Sequence, residues 1–167
     1  MSEARPSARA RHERALPGGR ASDIHKMIEI INRQRSKPIN AKPLRELGER
    51  ALRTIGSRKQ AATIVFVSDA AIRKLNKQFR GKDQVTDVLS FPSEAEPFEA
   101  ENQSQLGEVV ISVQRAADQA KQNRLTFSNE VEQLMLHGLL HLCGYDHETD
   151  DGKMNRLEVK LRKKLGI

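Results

Sequence analysis

Tryptophan is absent from this chain, tyrosine occurs once and phenylalanine five times. So few rings argue against a platform that takes successive bases on aromatic faces. Cysteine occurs once, as Cys143, which excludes an internal disulfide. No run is apolar and long enough for a signal-peptide core or a membrane span, so the expected setting is the cytoplasm, with no membrane partner.

What is present suits one folded unit. A length of 167 residues is enough to bury a hydrophobic core without staples. The formal charge of +7 favours polyanionic partners, although solubility alone accounts for it equally well. Its distribution is uneven: residues 1–22 hold five arginines against Glu3 and Glu13, with Pro, Gly, Ser and Ala between them and no apolar period. This stretch is expected to be a disordered basic tail, and 23–167 the folded domain.

Within that domain the pattern alternates between strand and helix. Met27–Asn32 predicts a strand, and Leu44, Leu47, Ala51 and Ile55 predict a helix that opens near Pro43 and stops at Gly56. Ala62–Val67 is a β-branched run, after which Ser68 can cap a helix turning Ile72, Leu75 and Phe79 inward. A polar turn at Arg80-Gly81-Lys82-Asp83 leads to a short strand, Thr86–Phe91, closed by Pro92. The acidic stretch Glu94–Gln105 is expected to be a surface loop, and Leu106–Ser112 a further strand.

Ser112, Ser128 and Asp150 are the expected caps of the last three helices. In the final one Met154, Leu157, Leu161 and Leu165 should face the core, leaving Lys153, Arg156, Lys160, Arg162, Lys163 and Lys164 in water. The sum is one small α/β domain, α+β-like, with roughly four strands in a mixed sheet and about five helices.

Three of the five histidines fall within eleven residues. His137 and His141 are four apart, which on a helix stacks their rings on one face, and Gly144 lets the chain turn so that His147 swings back to the same ion. A lone pair at that spacing would fit a plain helical role as well as a metal; the third histidine after a glycine turn tips the balance. Three nitrogens leave the fourth tetrahedral position open, as in catalytic zinc sites, where the pKa of bound water falls toward ~7. One Zn(2+) per chain is therefore expected. Cys143 lies about 200° round the helix from His141, so it is expected to pack inside.

The spacing His-x3-His-x2-Gly-x2-His is also that of metzincin proteases. Those carry Glu directly after the first histidine as general base, where this chain has Gly138, which cannot accept a proton. The run from His137 to His147 instead closely resembles the signature of the YbeY family of bacterial ribosomal RNA maturation endoribonucleases. Asn76–Asp83 with Thr86–Pro92 is similar to that family's other signature, and Leu106–Ser112 to its next strand. The likeness runs from about Met27 to the C-terminus, departing at Phe79, Val85 and Glu108, where Tyr, Pro and Asp are common.

The resemblance implies single-strand-specific RNA cleavage, a part in maturing the 3′ end of small-subunit (16S) ribosomal RNA, and a part in ribosome quality control. Its partners would be single-stranded ribosomal RNA and the small subunit with its assembly factors. Phosphodiester hydrolysis needs positive charge on the phosphoryl oxygens, and Arg80 is the candidate catalytic residue because guanidinium grips phosphate bidentately. Lys82 offers a point charge for RNA; Asn76 either contacts RNA or caps the helix end. Asp146 either orients a metal-bound histidine or acts as a base, or caps a turn. Asp87 and Ser90 are expected to tie strand to loop. A metallopeptidase, or an assembly factor with a purely structural metal, is the alternative; a structural site would be closed by a fourth protein ligand.

Overall fold

Two successive strand-helix units and a strand that returns antiparallel organise the domain. In the computed structural model the described residues are 27–57, 60–94 and 105–167. The tail expected over residues 1–22, and residues 95–104 of the expected acidic loop, lie outside them. The strands are β1 (Ile28–Asn32), β2 (Ala61–Val67), β3 (Val88–Pro92) and β4 (Gln105–Ser112). The helices are α1 (Ala41–Ile55), α2 (Asp69–Arg80), α3 (Val113–Gln122), α4 (Phe127–Leu142) and α5 (Lys153–Leu165). This is the single α/β domain with a four-stranded mixed sheet and five helices that the pattern predicts.

The sheet runs in the order β1-β2-β4-β3. β2 pairs parallel with both β1 and β4, while β3 pairs antiparallel with β4 at the edge. Both faces of the parallel strands are covered, which is why Ala61–Val67 is an unbroken apolar run and not an alternating one. Ile64, Phe66, Val109 and Ile111 point into the larger core with α1, α3, α4 and α5. Val65, Val67 and Val110 point the other way, against Ile72 of α2. Each such side chain contributes about 1.5–3 kcal/mol of burial free energy.

Four details differ from the sequence pattern. Phe79, expected inward, is 58% exposed, because the last turn of α2 reaches the sheet's edge and the ring meets Phe91 edge-on at 5.1 Å between centroids. Arg80 is the last residue of α2 and not the start of the turn; Gly81, at φ 67°, ends the helix. Thr126, not Ser128, caps α4, its hydroxyl accepting from Asn129 N at 3.1 Å. Arg162, expected in water, is only partly exposed and lies between Glu158 and Gln133. Asp150 does serve α5, accepting from Met154 N at 2.8 Å, although Gly152 is the residue at the helix boundary.

Candidate metal centre

Helix α4 is buried almost all round, with Val131, Met135, Leu136, Leu139 and Leu140 all at or below 2% exposure. Such a helix is a core element, so polar residues on it need a reason. His137 and His141 break the apolar surface on one stripe, both half-buried. Gly138 lets α4 lie against β4, and its carbonyl accepts from Ser90 Oγ of β3 at 3.3 Å. Helix and sheet thus hold the first two histidines rigidly.

The third arrives by a tight reversal. Tyr145 N donates to Leu140 O at 3.1 Å and Gly144, at φ 90°, takes the left-handed turn that favours glycine. His147 then comes back onto the other two. Ring centroids stand 4.8 Å apart for His137 and His141, 5.2 Å for His141 and His147, and 5.5 Å for His137 and His147. One ligand atom from each lies within 4.8 Å of the others, and among the described residues neither Cys143 nor a carboxylate belongs to the group. The donor set suits a borderline metal with an open position.

Electrostatics agree with that use. Burial, and then the neighbouring His137 and His147, hold the pKa of His141 below its ordinary value, so the ring stays neutral as a ligand must. Cys143 is turned toward Ser57, with Sγ 3.6 Å from Oγ, and burial pushes its thiol pKa up. Asp146 accepts from Glu148 N at 3.0 Å, and that hydrogen bond is the main cause of its lowered pKa. Its backbone carbonyl also accepts from Thr149 N and Asp150 N, which is the turn-capping arrangement.

The other expected site residues sit apart from the histidines. Arg80 is exposed at the end of α2, and among the described residues its side chain makes no hydrogen bond or ion pair. Lys82 is likewise exposed. Asn76 is only 2% exposed, with its amide donating to Gln84 O at 2.9 Å, so it pins the loop that follows α2. Asp83 in that loop is held by Arg73 at 2.7 Å and Lys77 at 3.1 Å. β3 stands between the two groups: Phe91 meets Phe79 on the α2 side, and Ser90 meets Gly138 on the α4 side. Asp87 accepts from Gln119 of α3 at 3.0 Å and from the adjacent Val88 N at 2.8 Å, and Ser90 bonds to α4, so these two residues tie the β3 segment to helices and not, as expected, to a loop.

A polar cleft of about 390 Å³ opens beside His137, lined by Asp87, Gln119, Glu130, Gln133 and Arg162 among others. A more apolar groove of about 530 Å³, with Leu75, Phe79, Phe91 and Glu108 in its walls, lies on the α2 side away from the histidines.

Sequence reasoning missed Glu158. Its Oε2 is 3.0 Å from His137 Nδ1, its Oε1 accepts from Arg162, and Arg162 Nη1 donates to Gln133 Oε1 at 2.7 Å. Burial alone would raise the Glu158 pKa, but His137 and Arg162 hold it below the ordinary carboxylate value. A signal existed: Glu158 lies four residues after Met154 and three before Leu161, inside the apolar stripe of α5, where a carboxylate requires a partner.

With this geometry in place, comparison with known proteins gives one answer. The family model described as Endoribonuclease YbeY matches residues 29–166. The chain belongs to that family. A relative from Geobacter metallireducens, named Endoribonuclease YbeY, is 37% identical over 141 residues, covering 84% of this chain and 94% of its own. One of the same name from Nautilia profundicola is 46% identical over 104 residues, covering 62% of this chain and 71% of its own. Among solved structures, the solution structure of TM1509 from Thermotoga maritima is similar, with TM-score 0.58 and 30% identity, over 83% of this chain and 89% of that one.

No helix among the described residues is long and apolar enough to cross a membrane.

Proposed function

We propose that this chain is a single-strand-specific, metal-dependent endoribonuclease of ribosomal RNA processing. Its place would be the maturation of the 3′ end of 16S ribosomal RNA and the quality control of ribosomes, in the cytoplasm. The observation that carries the proposal is the trio His137, His141 and His147, joined by no fourth protein ligand among the described residues, in a member of the YbeY family. These three would hold one Zn(2+) per chain. Bound there, the ion supplies Lewis acidity and an activated water for attack on a phosphodiester.

The chain's own residues do the rest. Arg80, whose side chain has no hydrogen bond or ion pair among the described residues, is the group for an RNA phosphate. It stands across β3 from the histidines, where its planar fork would take two oxygens at once from an RNA strand that crosses β3 to reach them. Lys82 adds a point charge beside it, while Asn76 and the Asp83 ion pairs keep their loop in shape. Asp146 is assigned to the turn that brings His147 back. Small-subunit assembly factors and the subunit itself are the expected partners.

The metallopeptidase alternative is disfavoured by Gly138, whose Cβ position is taken by Val109, leaving no space for the glutamate such an enzyme needs. A purely structural metal is disfavoured because no fourth protein ligand joins the three among the described residues. The test is single-turnover incubation of zinc-loaded protein with a single-stranded 16S fragment, the corresponding duplex and casein. Cleavage of the first alone is expected; proteolysis of casein with intact RNA would overturn the reading.

A further inference from the structure

Glu158 is 6% exposed in the middle of α5, a position that an apolar residue would fill at lower cost. Burying a carboxylate is expensive unless it is paired and hydrogen-bonded, so its partners show what it serves. One is Arg162, four residues on along the same helix. That pair alone could form at the helix surface, in water. The other partner is His137 Nδ1, on a different helix, 3.0 Å from Oε2.

The link is selective. Among the described residues only His137 has a carboxylate hydrogen-bonded to its ring, whereas the His141 ring meets a backbone group of Tyr145. The brace is itself held: Arg162 binds the other carboxylate oxygen and is fixed in turn by Gln133 of α4 at 2.7 Å. Gln133 and His137 are one helical turn apart, so the chain of contacts leaves α4, crosses α5 and returns.

We propose that Glu158 is a positioning residue of the metal centre. By accepting a hydrogen bond from His137 Nδ1–H it fixes the tautomer and rotation of that ring, so that Nε2 is presented to the ion. Arg162 and Gln133 keep the carboxylate aimed. A carboxylate behind a metal-bound imidazole also raises the basicity of the ring, and loss of such a partner typically costs about 10–100-fold in metal affinity. The inference rests on the three-histidine metal reading and deepens it.

The experiment uses the full chain, with Zn(2+) affinity measured against a chromophoric chelator and the visible spectrum of the Co(2+)-loaded protein as a report on ligand geometry. Glu158→Gln, close in shape, is expected to bind zinc about 10–100-fold more weakly and to shift the cobalt bands. Arg162→Gln, which frees one oxygen and leaves the other on His137, should give a smaller loss in the same direction. Leu161→Ala, which loosens α5 from the core without touching Glu158, should lower the melting temperature and leave affinity and spectrum unchanged. Wild-type affinity in both Glu158→Gln and Arg162→Gln would overturn the proposal, and so would an equal affinity loss in Leu161→Ala. Failure of the wild-type chain to take up zinc or cobalt would overturn the metal reading along with it.

Discussion

A methyl group on Gly138 would stand 2.3 Å from Val109 Cγ1. Helix α4 therefore rests on β4 at a distance only glycine allows, at the residue next to the first histidine. Gly138→Ala must push the helix off the strand. Overpacking of this kind costs about 1–3 kcal/mol, and the expected result in thermal or urea unfolding is a loss in that range. Zinc affinity should fall with it, because His137 moves with the helix. Gly138→Glu, the protease-like substitution, should fail to fold and not create a peptidase.

His141→Ala removes the ligand that the helix and the turn share. Metal analysis of the purified variant is expected to show far less than one ion per chain, since two remaining nitrogens do not hold the ion comparably. Full stoichiometry in that variant would remove His141 from the site.

Arg80→Ala should lower RNA cleavage by about 10²–10³ while folding and metal content stay unchanged, since the side chain is exposed and has no hydrogen bond or ion pair among the described residues. Arg80→Lys should recover only part of the rate, because an ammonium keeps the charge and loses the fork. Single-turnover cleavage by the three proteins, matched for metal, decides it; equal rates would end the assignment.

Deletion of residues 1–22 is expected to leave melting temperature and zinc content unchanged. The family match begins only at residue 29, and the segment lacks the apolar area to offset its own ordering. RNA affinity should fall modestly with the lost arginines. A large drop in melting temperature would show that the segment docks on the domain.

The histidine trio was legible because its logic is local: helical spacing, then a glycine turn, both written within eleven residues. The element order was legible for a similar reason, since the β-branched run of β2 and the apolar stripes of α1 and α5 declare their own periods. What escaped depends on where one element ends against another. Phe79 has the spacing of a core residue, but α2 outruns the sheet before it arrives. Thr126 and Ser128 are equally good caps by composition, and only the packing of α4 selects the first. Glu158 stands in the apolar stripe of α5 and so calls for a partner, but that the partner is His137 is written nowhere until α4 is seen to face it.

The lone cysteine has a practical consequence. Cys143 closes α4 half-buried, against Ser57, with a thiol that burial keeps protonated at neutral pH. Thiolate, not thiol, reacts with maleimides and disulfide reagents, so this sulfur is slow toward both. A cysteine placed at an open position such as Val159, which is 68% exposed, has the advantage in any such reaction. The native chain is thus a ready background for attaching a single fluorophore or spin probe, with no need to remove its own thiol first.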